Sequence, residues 1–123
     1  MTEFYEQVKE RLMRYARINT ESDPHSTSVP TTSCQHDLAS VIYEELQEIG
    51  ATNVYYDKDT CVVYGSLEAN VKTGRAIGFV THMDTAPDAS GKDVKPWVLE
   101  NYDGNDIILN KEKLLCHHLY FPI

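Results

Sequence analysis

Residues 76–84 read AIGFVTHMD, an apolar run that leads directly into a His-x-Asp motif. The run from Ala76 to Val80 does not alternate apolar and polar residues, which is typical of a strand covered on both faces inside an α/β sheet. His82 and Asp84 follow where this run ends, and ligands of α/β sheets bind at that edge. The stretch therefore predicts an α/β fold with its chemistry at one strand end.

The spacing of His82 and Asp84 suits a shared role. In an extended backbone, residues two positions apart point to the same side. A neutral imidazole is a common metal ligand, and its second ring nitrogen usually bonds a carboxylate or carbonyl that fixes the tautomer. His82 is thus a candidate metal ligand and Asp84 a candidate orienting carboxylate. Polar residues at a strand end also occur in ordinary loops, so the spacing alone leaves both interpretations open.

Two amphipathic helices are predicted upstream of the motif. Residues 2–18 place apolar side chains on one helical face, with acidic residues first and basic residues last, as the helix dipole favours. Residues 20–31 are rich in Ser, Thr, Asp and Pro and predict a loop. Thr32 and Gln35 then form a capping-box signature for a second helix that stops at Gly50.

The remaining segments predict a hairpin and a long loop. Residues 53–67 are rich in Val, Tyr and Thr around the turn-forming Asp57-Lys58-Asp59, which is typical of a β-hairpin. Residues 85–106 are predicted to be mostly loop, with a short strand at 107–109. His25 and His36 are expected to be solvated surface histidines.

The composition of the chain argues against two classes of binding partner, nucleic acids and membranes. The chain has 123 residues with 19 acidic and 11 basic side chains, a formal net charge of -8 and three widely spaced cysteines. Scattered basic residues in an acidic chain argue against nucleic acid, and no run approaches the roughly 20 apolar residues of a membrane span. The N-terminus lacks a signal-peptide pattern, and the cysteines suit reduced thiols. We expect one cytoplasmic domain with neither a nucleic-acid nor a membrane partner.

The sequence around the motif resembles the peptidase T family. The resemblance rests on GFVTHMDTAPDASGKDV at residues 78–94 and ENYDGNDI at residues 100–107. It extends over about residues 3 to 110, including the loop that enters the second helix and the hairpin. These proteins are tripeptide aminopeptidases among the dizinc metallopeptidases related to aminoacylase and carboxypeptidase G2.

This resemblance implies a fold, a cofactor and two site residues. It implies an incomplete α/β unit, the N-terminal part of a zinc-peptidase catalytic domain with two helices plus a mixed sheet. His82 would be a zinc ligand and Asp84 a catalytic residue in the release of the N-terminal residue of tripeptides. An intact site holds two zinc ions, but the family's bridging Asp, general-base Glu and other zinc ligands have no counterpart here. We expect weak zinc binding and no turnover from this chain alone, so its standing as an enzyme stays open.

Other interpretations also remain. Residues 1–123 are expected to be a partial catalytic domain, with residues 114–123 as a divergent tail whose Cys116, His117 and His118 are ordinary tail residues rather than a metal patch. The alternative is a stand-alone, non-catalytic α/β binding module or pseudo-enzyme remnant. An uncovered sheet would favour self-association in either case. A third interpretation is a fragment that complements a separately made C-terminal part.

Overall fold

The computed structural model describes residues 2–72, 74–109 and 115–116. These residues form two helices and two antiparallel pairs of strands. The elements, in chain order, are α1 (Thr2–Tyr15), α2 (Gln35–Glu48), β1 (Thr52–Asp57), β2 (Val62–Ser66), β3 (Ile107–Ile108) and β4 (Leu115–Cys116). β1 pairs with β2, and β3 pairs with β4. These elements make a small, incomplete α/β unit, which confirms the predicted fold class.

α1 confirms most of the helix predicted over residues 2–18. It has Glu3 in its first turn and Arg14 in its last, in agreement with the helix dipole. The helix ends at Tyr15, after which the amides of Arg17 and Ile18 bond carbonyls three residues back at 3.1 and 3.0 Å. Such bonds tighten the last turn of a helix and satisfy its free carbonyls.

α2 begins without the predicted capping box. Its N-cap is Cys34, which makes no side-chain capping bond. Thr32 and Gln35 are in contact, because Nε2 of Gln35 donates to the Thr32 hydroxyl at 3.2 Å, but this contact caps no helix amide. The Thr32 hydroxyl also donates to the main-chain carbonyl of Glu21 at 2.6 Å, so it joins the preceding loop to the helix start. The predicted end of the helix is confirmed, because Gly50 has a φ of 79° just beyond the C-cap Ile49.

α2 packs against both strands of the β1–β2 hairpin. The turn predicted around residues 57–59 is confirmed, since it connects β1 to β2. A side-chain carbon added at Gly65 of β2 would lie 3.2 Å from Leu46 Cδ1 of α2, so the helix and strand are in close contact. Among the described residues, the buried apolar side chains are Leu38, Ala39 and Cys61. The small core of this unit is therefore contributed by α2 and the hairpin.

The strand predicted at residues 76–80 is wrong. These residues form no regular element, and Ile77, Phe79 and Val80 are 82%, 94% and 100% exposed. A strand covered on both faces needs neighbours, whereas the described strands pair with one another as hairpins. The sheet also differs from the mixed sheet expected: within the described segments, the parallel pairing consists of one bridge between Glu21 and Thr85.

The short strand predicted at residues 107–109 is confirmed as β3, which pairs with β4. β4 lies within residues 114–123, the predicted divergent tail, and places Cys116 opposite Ile107. His117 and His118 lie outside the described residues, so the interpretation of the Cys-His-His sequence stays a prediction. None of the helices in the described part of the chain has the length and apolar character needed to cross a membrane.

Candidate functional site

The two motif side chains are in direct contact. Nδ1 of His82 lies 3.0 Å from Oδ1 of Asp84. The side chain of His82 is 81% exposed and that of Asp84 is 40% exposed. With the proton on Nδ1 and donated to the carboxylate, the lone pair of Nε2 is available to a ligand. The i, i+2 spacing thus produces an oriented imidazole on an open surface.

This pair lines a groove of about 250 Å³. The opposite walls come from α2 and from the start of β2. The residues that line it with the pair are Gln35, Ile42, Cys61, Val62, Val63, Thr81 and Met83. Most of these side chains are apolar, so a ligand at the imidazole would lie beside apolar walls while remaining open to solvent.

The cysteine in this groove is not an activated nucleophile. Cys61 is 4% exposed, and burial raises the pKa of its thiol. A thiol must ionise before it attacks a substrate or binds a metal. Burial likewise raises the pKa of the neighbouring Tyr56 hydroxyl. Both groups therefore stay neutral near pH 7 and contribute packing rather than reactivity.

The other two described histidines differ in their surroundings. His25 is exposed, as predicted. His36 is half-buried, and its Nδ1 contacts the Tyr56 hydroxyl, so the expectation of a solvated His36 is wrong. The contact joins α2 to β1 and could not be inferred from the polar neighbours of His36 in the sequence.

The donor set fits a single ligand position with its orienting carboxylate. Within residues 2–72, 74–109 and 115–116, no three His, Cys, Asp or Glu side chains come together as a metal site. A catalytic zinc usually takes three protein ligands and a water. His82 and Asp84 are thus suited to one part of a metal centre, and the described residues do not complete it.

Sequence reasoning missed the segment that supports this motif. The amide of Ser22 donates to the carbonyl oxygen of Thr85 at 2.9 Å, and the amide of Thr85 donates to the carbonyl oxygen of Thr20 at 3.1 Å. The start of the predicted 20–31 loop therefore forms a parallel bridge beside the residue that follows Asp84. Pairing between such distant residues has no periodic signal in the sequence.

Comparison with known proteins identifies what the chain resembles. Peptidase T of Alkaliphilus oremlandii is 48% identical over 107 residues, which is 85% of this chain and 26% of that relative. Peptidase T of Clostridium acetobutylicum is 48% identical over 109 residues, and that of Geobacillus kaustophilus is 47% identical over 109 residues. The chain matches a segment of peptidase T. The resemblance predicted from the sequence is thereby confirmed.

This peptidase T-like segment spans 26% of the length of the curated relatives it matches. No family model matches the chain. The matches cover 88% of the chain in two of these relatives, so the likeness is not confined to the His-x-Asp motif. It includes most of the helix, hairpin and loop framework described above.

Proposed function

We propose that this chain is the N-terminal, zinc-binding part of a peptidase T-like metalloaminopeptidase that releases the N-terminal residue of tripeptides in the cytoplasm. The observation that carries the proposal is the 3.0 Å contact between His82 Nδ1 and Asp84 Oδ1, which leaves Nε2 of this exposed side chain available to a ligand. The similarity to peptidase T supports the peptidase class. The absence of a long apolar helix in the described segments is compatible with a cytoplasmic location.

Each member of the pair has a distinct role in this proposal. His82 binds the metal through Nε2. Asp84 accepts the Nδ1 proton, which fixes the tautomer and makes Nε2 a stronger base. A zinc ion held at this imidazole would supply an acidified water and would polarise the carbonyl of the substrate. The pair itself neither attacks the peptide nor protonates its leaving amine.

The chain by itself is expected to be inactive. One imidazole gives weak metal affinity, because a catalytic zinc takes about three protein ligands. A two-metal hydrolase also needs a bridging carboxylate and a general base, and the resemblance assigns neither role to a residue of this chain. Turnover of tripeptides is accordingly proposed for the intact protein.

Calorimetric titration of zinc into the purified chain and into His82→Ala tests the metal assignment. The chain should bind weakly and the variant should lose that binding, while His25→Ala, at an exposed histidine outside the motif, should retain it. Equal, tight binding by the chain and His82→Ala would place the metal elsewhere. A robust, chelator-sensitive tripeptidase activity from the 123-residue chain would contradict the proposal that turnover requires the intact protein.

A second candidate function is a non-catalytic module that pairs with another polypeptide. The exposure of Ile77, Phe79 and Val80 favours it, because these residues form an apolar segment without cover. Mixing the chain with a peptidase T that lacks the matching segment separates the two candidates. Restored tripeptide cleavage supports the peptidase segment, whereas binding without cleavage supports the module.

A further inference from the structure

The chain is anchored immediately after Asp84 and exposed before His82. Thr85 exchanges main-chain hydrogen bonds with residues 20 and 22, at 3.1 and 2.9 Å, and its carbonyl also accepts the Ser22 hydroxyl at 3.1 Å. On the other side of the motif, Phe79 and Val80 are 94% and 100% exposed. The backbone that carries the Asp84 carboxylate is therefore held by the hydrogen bonds of the next residue, Thr85.

Glu21 lies at the centre of this anchor. Its carboxylate Oε2 accepts the amide N–H of Gly91 at 3.1 Å. Its own amide donates to Oδ1 of Asn19 at 3.2 Å, and its carbonyl accepts the Thr32 hydroxyl at 2.6 Å. The residue thus connects the segment after Asp84 to the start of α2. A hydrogen bond to a charged carboxylate is stronger than one between neutral groups, which favours Glu at this position.

Gly91 is required by the closeness of this contact. A side-chain carbon at residue 91 would lie 2.7 Å from Oδ1 of Asn19 and 3.3 Å from Oγ1 of Thr85. Oδ1 of Asn19 is already bonded to the Glu21 amide, so it cannot move away without loss of that bond. The backbone of residues 85–91 therefore approaches Glu21 only because residue 91 has no side chain.

We propose that Glu21 is a positioning residue: by holding residues 85–91, it orients Asp84 and so keeps the proton of the His82 imidazole on Nδ1. This inference rests on the proposed function, in which Nε2 of His82 is the metal-binding atom. Glu21 does not touch the metal or the substrate. Its carboxylate holds Gly91, while the main chain of its neighbours Thr20 and Ser22 holds Thr85, so the segment that begins at Asp84 is fixed at both ends.

The tautomer of His82 tests this role. In the metal-free chain at about pH 9, nitrogen-15 NMR should find the proton of the His82 ring mainly on Nδ1. Glu21→Ala should lower the ratio of Nδ1-H to Nε2-H forms at least twofold. Glu21→Gln, whose amide oxygen still accepts the Gly91 N–H, should largely restore the ratio. Glu68→Ala, at an exposed glutamate that bonds Thr52, is the matched control and should leave it unchanged.

A second variant covers the case in which Glu21→Ala does not fold. Gly91→Ala retains the carboxylate but displaces the loop, and it should change the His82 tautomer in the same direction. An unchanged tautomer ratio in a folded Glu21→Ala or Gly91→Ala variant would overturn the positioning role, even if the Thr85 amide exchanges faster with solvent.

Zinc addition separates this outcome from failure of the proposed function. If zinc perturbs His82 but both variants retain the tautomer ratio, the positioning role fails and the metal assignment stands. If the variants change the ratio but zinc does not perturb His82 in any form, the metal assignment fails and the positioning role stands.

Discussion

The guanidinium of Arg14 donates a hydrogen bond to the carboxylate of Glu45, and this contact joins α1 to α2. The hydroxyl of Tyr15 donates to the same carboxylate, and Nε of Arg11 lies 3.4 Å from it. Glu45 is 8% exposed, so its charge depends on these donors for compensation. The orientation of α1 on α2 is thus fixed by a polar contact rather than by apolar packing alone.

Removal of this carboxylate should separate the helices. Glu45→Ala is expected to lower the free energy of unfolding by about 1–2 kcal/mol, because three donors lose their acceptor while the partly exposed Arg14 regains water. Urea denaturation followed by circular dichroism measures the change. Glu6→Ala, in the solvent-screened pair with Lys9 on the surface of α1, should lower stability much less than Glu45→Ala. Equal costs for the two variants would argue against a structural role of Glu45.

The carboxylate at the candidate metal ligand should control zinc affinity. Asp84→Ala is expected to weaken zinc binding by about tenfold, because the His82 imidazole loses the partner that fixes its tautomer. Titration of zinc monitored through the His82 ring resonances gives the affinity. Asp88→Ala removes an exposed carboxylate from the same segment and should have little effect. A comparable loss in both variants would indicate a general charge effect.

The hairpin turn should respond to acid through Asp57. The Thr60 hydroxyl at 2.7 Å and the Asp59 amide at 3.0 Å hold the pKa of the Asp57 carboxyl below its usual value. Since the folded chain favours the carboxylate, this stabilisation is present above the ordinary pKa of about 3.9 and is lost as pH falls through the lowered pKa.

Thr60→Val should therefore raise the pKa of Asp57 toward its ordinary value, as measured by carbon-13 NMR of the carboxyl during titration. Thr27→Val, at an exposed position in the 20–31 loop, serves as the control and should leave the titration of Asp57 unchanged. The assignment of the turn would be contradicted by a Thr60→Val variant with the titration curve of the parent chain.

A larger side chain in the core beside α2 should lower the stability of the fold. Ala39 is 0% exposed, so Ala39→Leu is expected to cost about 1–3 kcal/mol through overpacking. Thermal unfolding should show a lower midpoint. Glu48→Leu places the same side chain at an exposed position of the helix and should change the midpoint little. An Ala39→Leu variant with an unchanged unfolding midpoint would mean that the space beside Ala39 is large enough for the added atoms.

The uncovered apolar segment should drive self-association. Phe79 is 94% exposed beside Val80, and such patches promote contacts between copies of a chain. Phe79→Asp is expected to shift the sedimentation profile toward monomer. Leu67→Asp removes another exposed apolar side chain, one that is 71% exposed outside this segment, and should shift it less. A parent chain that is already a monodisperse monomer would contradict the prediction.

Local patterns in the sequence predicted the helices and the β1–β2 hairpin because the information is carried by neighbouring residues. The contact between His82 and Asp84 is local in the same sense, since two positions of extended backbone bring the side chains to one side. Local patterns could not show whether residues 76–80 form a strand. An apolar run has the same composition with or without neighbouring strands, and cover comes from distant residues.

The missed features share this non-local origin. The Thr32 hydroxyl accepts a hydrogen bond from its local partner Gln35 and also donates one to the distant carbonyl of Glu21, which the sequence pattern did not indicate. His36 found Tyr56 on the neighbouring strand. The hydrogen-bond partner of each side chain depends on how distant segments pack, and a pattern of a few adjacent residues does not contain that information.

The pairing of Ser22 with Thr85 affects the order in which the chain folds, because it joins residues 63 positions apart. Closing so long a loop costs conformational entropy before any contact compensates for it. α2 and the β1–β2 hairpin lie inside that loop and form from nearer contacts. We therefore expect the surroundings of Asp84 to form after α2 and the β1–β2 hairpin.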